Sequence, residues 1–145
     1  MEIGKTIDEI SIGDKARFSK TIAETDIYLY AGLCGDFNPL HIDEEYAKKT
    51  MFKHRIAHGP IAIGLLATVL GTRLPGLGTL ARELSVKFTA PVFIGDTITA
   101  EVEIIKKIVD RNIVHLKLTC RNQSGKEVLQ GFGVMMPPLE KFREI

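Results

Sequence analysis

Residues 60–74, PIAIGLLATVLGTRL, decide the fold. Pro60 suits the first turn of a helix, where its missing N–H is no loss, and PGLG at 75–78 breaks whatever precedes it. Between them Ile61, Ile63, Leu65, Leu66, Val69 and Leu70 leave the helix no polar face. The nearly uncharged run Ile61–Leu70 falls well short of the roughly 20 residues a membrane span requires. A helix that is apolar nearly all round, and too short to cross a bilayer, has to be buried inside its own protein.

The second half of the chain supplies the cover. Leu84, Val86 and Phe88 alternate with Ser85, Lys87 and Thr89. Ile98, Ala100, Val102 and Ile104 alternate with Thr97, Thr99, Glu101 and Glu103, and Val114, Leu116, Leu118 and Cys120 with His115, Lys117, Thr119 and Arg121. Residues 127–136 form a last strand, and VDRN at 109–112 and NQSGKE at 122–127 fit hairpin turns. One-faced alternation with short turns means an antiparallel sheet with a wet outer face. The economical arrangement is a curved antiparallel sheet wrapped around the apolar helix, an α+β domain.

Upstream, KARFSKTI at 15–22 reads as a strand with Ala16, Phe18 and Ile22 on one face. A helix follows, with Thr25 as its N-cap, Ile27, Tyr30, Ala31 and Cys34 at i, i+3, i+4, i+7, and Gly35 as its terminator. DEEYAKK at 43–49 makes a short helical turn or two, and MFKHRIAHG at 51–59 is irregular.

Length and composition set the outer bounds. At 145 residues, with no repeat, linker or low-complexity segment, residues 1–145 read as a single domain. Hydrophobic residues are 45% and charged residues 26%, and the formal net charge is +1, which points to neither nucleic acid nor a membrane surface. Cys34 and Cys120 lack paired spacing and read as reduced thiols, the N-terminus has no apolar signal region, and the expected location is the cytoplasm.

The chemistry concentrates in GDFNPLHID, residues 35–43, and AHGP, residues 57–60. Asn38-Pro39 is turn chemistry, so Asp36 and His41 are expected on an ordered loop on either side of a bend. AHGP delivers Gly59 to the N-terminus of the buried helix, where leading N–H groups lack intrahelical partners and the dipole is positive. A carboxylate, an imidazole and a backbone donor suit chemistry at an activated carbonyl compound. Taken singly, Asp36 and His41 are also ordinary surface residues. Cys34 has no obvious base partner and reads as helix packing. His54 and His58 are four apart, but Gly59-Pro60 starts the helix after them and removes the shared face a metal would need.

DFNPLHID, then AHG before an apolar helix, then LSVKFTAPVFIGDTITAEVEI at 84–104, together resemble the MaoC-like hydratases, in particular the (R)-specific enoyl-CoA hydratases, over roughly residues 10–137. The resemblance implies a hot-dog fold and a homodimer or higher homo-oligomer with continuous sheets. It implies cofactor-independent addition of water to a trans-2-enoyl-CoA thioester, giving a (3R)-hydroxyacyl-CoA, or the reverse. Asp36 and His41 would hold and activate the water, and the Gly59 N–H would bind the thioester oxygen. Asn38 would shape the loop. Lys53 and Arg55, in the basic stretch KKTMFKHR, would meet the phosphates of coenzyme A, unless that stretch is simply a solvated surface. Phe37, Leu40, Phe52 and Phe88 are candidates for the acyl tunnel or for ordinary core. Two departures stand out: Ala67, with Thr68 beside it, where some relatives carry a serine, and Pro60 directly after the glycine.

Three rivals remain. A 3-hydroxyacyl-ACP dehydratase keeps the chemistry and changes the carrier. An acyl-CoA thioesterase usually draws a carboxylate from the central helix, and residues 60–72 contain no Asp or Glu. A non-catalytic acyl-thioester binding module has no need of a proton-transfer pair.

Overall fold

The computed structural model describes residues 3–140. In chain order these form β1 (Lys15–Thr21), α1 (Glu24–Cys34), α2 (Pro39–Ile42), α3 (Glu44–Ala47), α4 (Gly59–Thr72), β2 (Leu80–Phe88), β3 (Thr97–Ile108), β4 (Ile113–Arg121) and β5 (Glu127–Met136). The strands make one antiparallel sheet in the order β1-β3-β4-β5-β2. A register shift between Ile104 and Lys106 interrupts the β3–β4 ladder, the kind of irregularity that bends a strand and curves its sheet.

Helix α4 lies in the hollow of that sheet, packed against β1, β3 and the near side of β4. Its Ala62, Leu65, Leu66, Val69 and Leu70 are buried with Ile98, Ala100, Val102 and Ile104 of β3 and Val114, Leu116, Leu118 and Cys120 of β4. Fully burying one such large aliphatic side chain contributes roughly 1.5–3 kcal/mol, so this single helix organises much of the core. The outer face is hydroxylated and charged. Ser19 pairs with Thr99 at 2.8 Å, Thr21 with Thr97 at 2.7 Å, and Lys15 with Glu103 at 3.3 Å.

Three local expectations are corrected. α1 begins one residue before Thr25 and its N-cap is Ala23, because the Asp26 carboxylate turns back to accept the Ala23 N–H at 2.8 Å and closes the end in place of a hydroxyl. α4 is not enclosed on all sides: Gly64, Ala67 and Thr72 form an open stripe along it, since the sheet covers only one flank. β2 has no buried face. Leu80 is 63%, Leu84 37% and Phe88 55% exposed, although the register puts Leu84, Val86 and Phe88 on the same side of the sheet as the core residues of β4 and β5.

Candidate active site

Helix α1 stops at Gly35, whose φ of 74° is a left-handed conformation that glycine takes without strain. The next residues bind their own backbone. Asp36 Oδ1 accepts the Asn38 N–H at 3.2 Å, and Asn38 Oδ1 accepts the Leu40 N–H at 3.1 Å, capping α2. Asn38 itself, before Pro39, is extended (φ −53°, ψ 124°), as a residue preceding proline should be. His41 therefore sits in a single helical turn, more ordered than the loop expected for it, and Asn38 is the residue that starts that turn.

His41 is held from behind. Its Nδ1–H donates to the Ile56 carbonyl at 2.7 Å, which fixes the tautomer and leaves Nε2 free. Ile56 is fixed in turn by a bridge to Phe93, and the next residue, Ala57, donates its N–H to the Val92 carbonyl at 2.7 Å. Gly59 is the first residue of α4, and its N–H finds no acceptor among the described residues. A methyl group at this position would lie 2.9 Å from the Phe88 ring, so the ring occupies the space a side chain there would need.

A cavity of about 340 Å³ opens here, lined by His41, Phe52, Ile56, Gly59, Ala62 and Phe88 among others. It is largely apolar, with the imidazole, the helix end and Thr89 as its polar members. Asp36 stands outside the lining with its side chain 48% exposed, yet one of its carboxylate oxygens and one ring nitrogen from each of His41 and His58 all lie within 4.8 Å of one another. At that range a single water could hydrogen-bond to both carboxylate and imidazole.

The family profile of the MaoC like domain matches residues 9–124. The chain belongs to the MaoC-like family. It is 47% identical over 131 residues to an (R)-specific enoyl-CoA hydratase of Rhodospirillum rubrum, covering 90% of each chain. It is 37% identical over 131 residues to a 3-hydroxybutyryl-CoA dehydratase of Methylorubrum extorquens, covering 90% of this chain and 83% of that one. Among solved structures, R-hydratase PhaJ1 of Pseudomonas aeruginosa superposes with a TM-score of 0.90 at 39% identity, over 94% of this chain and 88% of that one. The α+β hot-dog arrangement is therefore that of its relatives.

Not every expected residue of this MaoC-like chain reaches the cavity. Phe52 and Phe88 line it, whereas Phe37 is 58% exposed and Leu40 is absent from its walls. Ala67 is exposed, and the Thr68 hydroxyl turns back to donate to the Gly64 carbonyl at 3.1 Å, so neither replaces a serine contact in the cavity. Lys53 is exposed at a positive φ of 64°; its backbone N–H donates to the Thr50 carbonyl at 3.3 Å, and its ammonium has no partner among the described residues. Arg55 differs from it. Its side chain is 13% exposed, its two terminal nitrogens are taken by Glu24 and by the Tyr28 hydroxyl at 3.0 Å, and its Nε lies 3.8 Å from the Glu44 carboxylate without a hydrogen bond of its own among the described residues.

His58 carried no functional reading from sequence beyond a discounted metal pair with His54. The two diverge: His54 is exposed against Glu44 at 2.8 Å, while His58 is 2% exposed at the N-cap of α4. Its Nε2–H donates to the Asp36 carbonyl at 3.0 Å, and its ring lies 3.9 Å from that of His41 and 4.8 Å from that of Tyr30. Asp36, His41 and His58 are metal-ligand types, but the two imidazoles are stacked, 31° apart, and each already spends one nitrogen on a carbonyl. The arrangement suits hydrogen bonding better than it suits an ion. Tyr30 also borders Asp36: its phenol is held above the ordinary value, chiefly by its hydrogen bond with the Cys34 thiol. Cys120 is buried and its thiol is pushed up to about 12 by that burial, so it is no nucleophile.

Proposed function

We propose that this chain hydrates trans-2-enoyl-CoA thioesters to (3R)-3-hydroxyacyl-CoA, and catalyses the reverse dehydration, as a single hot-dog unit. The observation that carries the reading is a largely apolar cavity lined by His41, with its Nε2 free, and by Gly59, with its helix-terminal N–H unpaired, beside which the Asp36 carboxylate stands just outside the lining. The acyl thioester enters with its carbonyl oxygen at the Gly59 N–H. As the carbonyl draws electrons from the double bond, that oxygen takes on enolate charge, which the donor and the positive end of α4 stabilise. A water held between Asp36 and His41 attacks the β-carbon, gives up a proton to the pair, and the α-carbon receives one from it. The sum is one water added across the double bond with no redox change.

Each positioned acid or base is worth about 10²–10⁴ in rate, and one oxyanion donor about 10²–10³. Phe52 and Phe88 serve as the walls against which the acyl chain lies, and the unpaired Lys53 ammonium is the group we assign to the coenzyme A phosphates. Arg55 holds the segment beneath it.

Crotonyl-CoA incubated with the protein tests the reading, with loss of the conjugated-enone absorbance followed against Asp36→Asn and His41→Ala. Hydration that yields the (R) enantiomer, and falls by about 10²–10⁴ in each folded variant, is the expected result. Thiol release from saturated acyl-CoA without enoyl-CoA turnover would replace the hydratase with a thioesterase. Turnover only of acyl-ACP would keep the chemistry and change the carrier.

A further inference from the structure

We propose that His58 is a positioning residue for the hydration site, a clamp that sets the carboxylate and the imidazole in register. The inference rests on the hydratase reading. One residue touches all three parts of the site, two through its side chain and one through its backbone. It reaches the Asp36 segment through Nε2–H to the Asp36 carbonyl at 3.0 Å, with the nearer Asp36 carboxylate oxygen at 3.9 Å. It supports His41 ring against ring, with centroids 3.9 Å apart, while itself only 2% exposed. And it is joined by its own peptide bond to Gly59, so its backbone (φ −59°, ψ 130°) aims the donor N–H.

The residue type is what requires explanation. Although His58 occupies the N-cap position of α4, its side chain makes no capping bond, so it does not stabilise the helix in the ordinary way. Its Nδ1 is buried with no hydrogen-bond partner among the described residues, a liability that a phenyl ring of similar shape would not carry. Its surroundings, including Ile22, Ala57, Ile61, Ala62, Val92 and Ile98, would accept such a ring. What a phenyl ring could not do is hold the Asp36 carbonyl. Donation to that carbonyl demands the Nε2–H tautomer, and the bare Nδ1 in its apolar setting is the other half of the same choice. The stack on His41 then uses the ring, and the clamp on Asp36 uses the nitrogen.

Two variants separate these uses. His58→Phe keeps the stacked ring and removes the donor, while His58→Gln keeps an N–H near the Nε2 position and removes the ring. His58→Phe is expected to be at least as heat-stable as the parent, with kcat on crotonyl-CoA lower by on the order of 10²-fold and KM little changed. His58→Gln should recover part of that kcat despite lower stability. The ¹⁵N spectrum of the unmodified protein should show the Nε2–H tautomer at His58. Parental kcat in His58→Phe, losses that track only the folded fraction in both variants, or an Nδ1–H tautomer would each overturn the clamp. Absence of enoyl-CoA turnover in the parent protein would instead sink the hydratase reading, and the tautomer would still decide whether His58 holds Asp36.

Discussion

At the scale of single residues, Gly59 is the tightest fit in the site. A side chain there would meet the Phe88 ring at 2.9 Å, so Gly59→Ala forces the ring aside and puts a methyl group beside the N–H a carbonyl must reach. We expect kcat/KM for crotonyl-CoA to drop by roughly 10²-fold. The thermal midpoint should move little, because Phe88 is half exposed and free to swing. Unchanged kinetics in a folded Gly59→Ala protein would remove Gly59 from the oxyanion role. The residues argued to do chemistry were readable in advance because their types and order are unusual: an acid and an imidazole around Asn-Pro, and a glycine where a helix must begin. His58 was not readable. Whether a histidine beside that glycine faces solvent or lies stacked beneath its neighbour depends on where α1 and the β2–β3 connection fall, and no local pattern encodes that. Phe37 is the converse case, since its hydrophobicity does not reveal that it is exposed and outside the cavity lining.

At the scale of elements, the segment that carries the site is tied to α1 and α3 by Arg55. Glu44 accepts the Arg55 N–H at 3.0 Å, and Glu24 takes the guanidinium from α1. The Glu24 carboxyl is lowered chiefly by its hydrogen bond from Arg55, and that of Glu44 chiefly by its hydrogen bond with His54. In both cases the folded chain releases its proton more readily than the unfolded chain. The contribution is therefore fully present above the ordinary carboxylate value near 4.5 and lost as pH falls below it. Arg55→Met should lower Tm by roughly 2–4 °C at neutral pH and flatten the decline of stability between about pH 5 and 3. Lys53→Ala should do the opposite, leaving Tm alone and raising KM for the CoA thioester several-fold. Equal effects of both variants on KM would restore Arg55 to the substrate. Both are basic residues of one short stretch, and only the positions of Glu24 and Glu44 in space distinguish the anchor from the free cation.

At the scale of the whole molecule, the sheet and its central helix were legible from periodicity alone, down to the bounds of β5, because alternation and helical apolarity report burial directly. What alternation cannot report is which flank remains uncovered. β2 reads like its neighbours in sequence, yet α4 sits over β1, β3 and β4 and leaves β2 with Leu80, Leu84 and Phe88 in the open. The opposite edge, β1, carries Lys15, Arg17 and Lys20, the charges that discourage edge pairing. A second copy of the chain joined along β2 is the cover we expect, and sedimentation should show a dimer. Leu84→Asp should weaken that dimer by on the order of 10²-fold, about the loss of one buried leucine, whereas a parent protein that sediments as a monomer would remove the edge from consideration. Residues 51–58 belong to no helix or strand, but Ala57 donates its N–H to Val92, Ile56 accepts from His41, and Arg55 is bonded on both its backbone and its side chain. The Ala57 amide should therefore exchange with deuterated solvent at the pace of the sheet and not of a loop. A catalytic framework already rigid at rest loses little entropy when substrate arrives, and the energy of holding the thioester is left to act on the double bond.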